Sequence, residues 1–169
     1  MHFVTITIVE WINILTKERY FEILGKSLDY CRKHLGLVLL EYVFMTNHIH
    51  LIIDSKDGFK ISELIKSFKS HTTREFRKAL ETDNRRYIPR LLSTSYDKKK
   101  GTIFQIWKRE NKPQVILSDE YLEKWTHYIW MNPVKAGYVE LPEHWKWSSA
   151  NDRLTINRGP VELDEYEDF

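Results

Sequence analysis

Apolar positions recur along this chain with two different periods, and the switch between them outlines its elements. Residues 3–9, FVTITIV, alternate large apolar or β-branched residues with threonine, the two-residue period of a strand. Tyr20, Phe21, Leu24, Leu28, Cys31 and Leu35 then fall at helical spacing over 17–35, and Gly36 supplies a stop. LVLLEYVF at 37–44 and HIHLIID at 48–54 predict a hairpin, with Met45, Thr46 and Asn47 as its turn. A second amphipathic helix covers 60–80, with Ile61, Leu64, Ile65, Phe68, Thr72, Phe76 and Leu80 as its apolar stripe. Residues 83–102 lose all periodicity and read as a long loop. Two short strands are expected near 103–108 and 113–117. Ser118 then caps a helix whose first turn holds Asp119 and Glu120, where carboxylates favour the helix dipole. That helix should run to about Met131, because Pro133 disfavours helical geometry at Asn132. The order β-α-β-β-α-β-β-α predicts an α+β fold. Its antiparallel sheet should have about five strands, with helices packed mainly on one face, a ferredoxin-like split βαβ scaffold.

Composition adds the scale. The 169 residues, 42% hydrophobic and 14% aromatic, suit one domain with a real core. The expected division is a single domain over 1–150 and an acidic tail over 151–169. The last nine residues, VELDEYEDF, hold five acids and no base. One cysteine, Cys31, excludes an internal disulfide and fits a reducing compartment. There is no signal-peptide pattern and no stretch near the roughly 20 apolar residues of a membrane span, so a cytoplasmic protein is expected.

Charge is unevenly placed. The net charge is +2, yet residues 56–112 hold 16 Lys/Arg against 7 Asp/Glu, leaving 10 against 17 elsewhere. The basic residues include Lys66, Lys69, Arg74 and Arg77 on the second helix and Arg85, Arg86 and Arg90 in the loop. Lys98, Lys99, Lys100, Lys108 and Arg109 follow. Such a surface suits a polyanion, most simply DNA, and serves equally as a solvated helix face with a basic loop. Tyr87 and Tyr96 could stack on unpaired bases. Trp145 and Trp147 suit packing of the tail better.

Two segments carry candidate chemistry. In MTNHIHLII, side chains alternate across the strand, so His48 and His50 share a face and could converge on one metal ion. The same pair could equally be hydrogen-bonded core histidines. In HYIWMNPVKAG, Tyr128 and Asn132 are four residues apart and stack on one helix face, which continues through Tyr121, Leu122 and Trp125. A core tyrosine and a helix cap would look the same. His71 reads as structural, and His127 points about 100° away from Tyr128 around the helix.

YVFMTNHIHLII followed far downstream by YIWMNPVKAGYV resembles the single-tyrosine transposases of the HUH endonuclease superfamily, above all the REP-associated branch. The resemblance covers roughly 2–150. It implies His48 and His50 as metal ligands, Tyr128 as nucleophile, and Asn132 where related insertion-sequence enzymes carry a third polar ligand. Thr46 departs from the Pro or Ser of many relatives. The implied reaction is nicking and strand transfer of single-stranded or hairpin DNA through a 5′-phosphotyrosine, with Mg²⁺ or Mn²⁺ and without a nucleotide cofactor. Lys135 is a candidate electrostatic helper. The short link at 117–119 favours a monomer acting in cis over a homodimer. The alternatives are a catalytically inactive or domesticated protein that grips hairpins, and a zinc hydrolase built on the histidine pair.

Overall fold

A computed structural model describes the chain except for residues 57, 86–87, 89–91, 93–95, 98–100, 103–104, 157–158 and 167–169. The elements are β1 (His2–Thr7), α1 (Glu18–Leu35), β2 (Leu37–Phe44), β3 (His48–Ser55) and α2 (Ile61–Thr82). They continue with β4 (Tyr96–Asp97), β5 (Gly101–Thr102), β6 (Gln114–Val115), α3 (Asp119–Lys135) and α4 (Ser149–Leu154). The main sheet is antiparallel with order β2-β3-β1-β6, and β4 and β5 form a separate two-stranded ribbon. The fold is α+β as expected, with four strands in the main sheet among the described residues rather than about five. Of the strand expected near 103–108, residues 103–104 lie outside the described residues, and the described part bridges Ile8 through Trp107. No helix among the described residues is long and apolar enough to cross a membrane.

The two-residue period decides what each face buries. Val4, Ile6, Ile49, Leu51 and Ile53 point into the main core against Leu24 and Leu28 of α1 and Leu64, Phe68 and Phe76 of α2. Phe3, Ile52, Val43 and Leu40 point the other way and pack against Ile129 of α3. Two long helices therefore cover one face, and α3 crosses the opposite one. α3 also outruns its expected end, continuing through Pro133 to Lys135. The residue before a proline is biased against the helical region but not barred from it. The end is closed by a Schellman pattern, with Tyr138 N–H donating to the Pro133 carbonyl at 3.0 Å and Gly137 N–H to Val134 at 2.9 Å. Gly137 takes the left-handed φ of 74° that this motif needs.

Candidate active site

The two histidines stand on β3, an interior strand flanked by β1 and β2, so backbone ladders fix them from both sides. His50 lies opposite Thr5 and His48 opposite Thr7. Both rings emerge on the face that α3 crosses. α3 is docked by aromatic packing: Trp125 stacks on Phe3 with centroids 4.0 Å apart. Tyr128 and Asn132 follow at helical spacing on the same side. The phenol ring of Tyr128 sits 5.1 Å from the imidazole of His50, which is 4.8 Å from that of His48. Asn132 lies close enough to His48 to act on its imidazole. Sheet and helix, far apart in sequence, thus bring all four groups together.

Burial and hydrogen bonding set the state of the rings. Burial holds the imidazolium form of His48 below its ordinary range. Burial, then the charge of His48, push His50 down to about 3. Both are neutral near pH 7, with a lone pair to offer. The Asn47 amide donates to the Trp11 carbonyl at 3.2 Å, so its oxygen faces His48 Nδ1 at 2.7 Å. An amide oxygen only accepts, so Nδ1 carries the proton and the lone pair sits on Nε2. His50 Nδ1 contacts Thr5 Oγ1 at 2.9 Å, and its buried Nε2 has no hydrogen-bond partner. Each ring is thus held at Nδ1 by an outer partner, the arrangement that orients metal-binding histidines. The donor set fits a divalent cation: two imidazole nitrogens and the side-chain oxygen of Asn132. Among the described residues no cluster of three His, Cys, Asp or Glu adds to the pair. Asp54 instead bonds the N-terminal amine at 2.8 Å.

Neighbouring contacts hold the frame. Tyr138, just past α3, meets the Thr46 hydroxyl at 3.0 Å, tying the helix end to the hairpin turn before His48. Trp130 Nε1 donates to Glu41 at 2.8 Å from two residues beyond the tyrosine. Glu41 is 1% exposed, and it also accepts from Ser149 and from Tyr166. Lys135 Nζ lies 5.7 Å from the centre of the Tyr128 ring, placing a cation beside the phenol. Tyr128 itself is 36% exposed and open to a substrate. Tyr121, expected on the inward stripe, is exposed.

The basic residues divide. Lys69 turns inward and donates to the carbonyls of Lys108 and Arg109 and to Asn111. Arg85 donates to the Ile14 carbonyl and to Thr16, both at 3.1 Å. Lys66, Arg74 and Arg77 are exposed on α2, the layer across the sheet from the histidines. Arg109 is exposed, and Lys108 lies over Trp11, whose ring is 5.6 Å from His48. Arg86, Arg90, Lys98, Lys99, Lys100 and Tyr87 lie outside the described residues, as does the side chain of Tyr96. His71 bonds Ser27 at 2.9 Å, Trp145 donates to the Phe44 carbonyl at 3.0 Å, and Trp147 stacks on Phe21 at 4.8 Å. Thr5, Asn47 and Phe3 complete the site without a sequence signal of their own, since a threonine, a turn asparagine and a strand phenylalanine are ordinary there. Glu41 did leave one, a lone acid in LVLLEYVF.

The fold has counterparts among known proteins. A solved REP-associated tyrosine transposase bound to a REP hairpin superposes with a TM-score of 0.67 at 17% identity, covering 99% of this chain and 87% of that one. A curated protein of Haemophilus influenzae, named "Putative REP-associated tyrosine transposase", is 28% identical over 120 residues. The match takes in 69% of this chain and 61% of the relative, so it leaves more than a third of that protein unmatched. The family model of IS200-like transposases matches residues 1–100, which contain the histidine pair, while the sheet and α3 bring Tyr128 to it from outside that span. With more than half its length in that match, the chain belongs to the IS200-like transposase family.

Proposed function

We propose that the chain nicks single-stranded DNA beside a hairpin and transfers the cut strand, with Tyr128 as nucleophile. The observation that carries this reading is the convergence of Tyr128, His50, His48 and Asn132 on one face of the sheet, with Tyr128 open to solvent. Oη of Tyr128 attacks phosphorus in line, and the bond from phosphorus to the 3′ oxygen breaks. The phenolic proton is released and the leaving oxygen takes one up, giving a 5′-phosphotyrosine and a free 3′-OH. A later 3′-OH reverses the exchange and rejoins strands, so no nucleotide cofactor is needed. His48, His50 and Asn132 would hold Mg²⁺ or Mn²⁺, which when bound offsets negative charge building on the phosphate oxygens. Imidazole donors favour Mn²⁺ over Mg²⁺. Lys135 adds positive charge near the Tyr128 ring, which favours its phenolate form. Tyr128 meets the histidines of its own chain, which supports action in cis by a monomer. The solved relative bound to a REP hairpin supports hairpin DNA as substrate.

The test is trapping of the covalent intermediate. Labelled hairpin DNA with a single-stranded extension is incubated with protein and Mn²⁺, then denatured. A protein–DNA adduct is expected, and Tyr128→Phe should reduce it to background while DNA binding persists. Metal-dependent product that survives Tyr128→Phe would overturn the tyrosine mechanism. Tight binding without any adduct would identify a hairpin-binding protein instead.

A further inference from the structure

One exposed aromatic beside the site is held there against backbone preference. Val9–Ile12 form a tight turn, closed by Ile12 N–H to the Val9 carbonyl at 3.4 Å. Its two central residues, Glu10 and Trp11, have φ of 54° and 56°. Positive φ at both central positions is the pattern of a type I′ turn, which Asn-Gly fills at least strain. Here it is filled by glutamate and tryptophan, residues for which left-handed backbone is unfavourable. The turn is nonetheless pinned: Asn47 donates to the Trp11 carbonyl, and Val9 N–H to the Ile106 carbonyl at 2.8 Å. The result is a tryptophan 53% exposed, beside His48. Over its ring lies the Lys108 ammonium, 5.0 Å from the centroid. Lys108 is itself placed by Lys69, which grips its carbonyl, and by its own N–H on the Thr7 carbonyl at 2.8 Å.

We infer that Trp11 is a stacking platform for one unpaired base of the DNA strand, with Lys108 meeting the phosphate of the same nucleotide. This rests on the proposed nicking reaction for its position but not for its test. Strained backbone held by its surroundings is characteristic of sites where a side chain must be presented. An indole offers any base a broad face, so the contact tolerates sequence, and an adjacent lysine supplies the backbone charge. A nucleotide seated there brings its neighbouring phosphate to the histidine pair, and so sets which phosphate Tyr128 can reach.

The test is binding without metal, in the presence of a chelator. Hairpin oligonucleotides with single-stranded extensions of mixed sequence carry the fluorescent base aminopurine at successive extension positions. In the native protein one position should be quenched on binding, and an abasic site there should weaken affinity by about tenfold or more. Trp11→Gly removes the platform and relieves the turn, since glycine accepts positive φ. It should bind a blunt hairpin normally, lose the quenching and bind the extension about tenfold more weakly. Its thermal midpoint should hold or rise, whereas a tryptophan needed only for packing would lower it. Unchanged affinity and quenching in Trp11→Gly would overturn the inference, and so would an abasic series on the native protein with no sensitive position, which needs no variant to fold. If the Tyr128 adduct forms while Trp11→Gly is silent, the inference alone falls. If the adduct never forms but the stacking signals appear, the nicking reading alone falls.

Discussion

The imidazole of His50 is 4% exposed, and its environment settles what it can do. Burial makes the charged form costly, so the ring stays neutral and its lone pair stays available. What remains is direction, and one hydroxyl supplies it: Thr5 Oγ1 at Nδ1 leaves Nε2 aimed at the site. Thr5→Val keeps the shape of the side chain and removes the oxygen. Losing such an outer partner costs about 10- to 100-fold in metal affinity. Mn²⁺ titrations followed by electron paramagnetic resonance should show that loss. The unpaired Nδ1 should also reduce stability by about 1–3 kcal/mol. Metal affinity unchanged in Thr5→Val would mean that the ladder on either side of β3 orients the ring without help from Thr5.

At the scale of elements, the angle of α3 about its own axis decides whether Tyr128 faces the histidines. Two contacts fix that angle on either side of the tyrosine, Trp125 on Phe3 and Trp130 on Glu41. Glu41 also gathers Ser149 and Tyr166, and Arg153 approaches it to 3.4 Å. Removing a buried, multiply bonded carboxylate strands its donors, so Glu41→Ala should cost about 3–5 kcal/mol in urea unfolding. Trp130→Phe, which deletes a single hydrogen bond to a charged group, should cost about 1.5–3 kcal/mol. It should also slow adduct formation at saturating DNA without weakening DNA binding, because it frees the helix to turn. Much of this framework was legible in residue spacing. The helices α1 and α2 each follow one clean period over many residues, and the hairpin of β2 and β3 shows as two apolar runs, although a bulge between Leu39 and Glu41 interrupts the alternation of β2. α3 was legible as a helix, through Ser118 and its first-turn acids, but not in its end or its place. Pro133 was a bias that its own burial and the hydrogen-bonded close of the helix overrode. Nothing in its sequence said which sheet face it would take, since only Ile129 and Pro133 of its residues are buried. The site was half legible: spacing put His48 beside His50 and Tyr128 beside Asn132, but their meeting depends on β1, whose Phe3 has no mark of its own.

At the scale of the whole molecule, the acidic end of the chain closes an open edge. β2 is the last strand of the sheet on its side, and a bare edge invites pairing with another chain. Asp164 covers it, its N–H donating to the Leu39 carbonyl at 2.9 Å and its carboxylate accepting from the Leu39 N–H at 2.8 Å. Arg32 of α1 grips the same carboxylate with two bonds, at 2.9 and 2.8 Å. Val161, 2% exposed, lies so close to Gly25 that a Cβ there would stand 3.2 Å from its Cγ2. Burial by itself would raise the pKa of Asp164, but the bonds from Arg32 and Leu39 outweigh it and hold the value below the ordinary 3.8. The folded state therefore binds this proton less readily than the unfolded chain. The stabilisation is complete at pH values above 3.8 and is lost as pH falls through the lower folded value. Asp164→Asn keeps the size of the side chain and removes the charge. Urea midpoints measured from neutral to acid pH should lie below those of the native chain at pH 7. The gap should close progressively below about pH 4, where the native carboxylate too is protonated. A gap that stayed constant across that range would place the stabilisation in the shape of the docked segment, and the charge of Asp164 would then be incidental to how the edge is held.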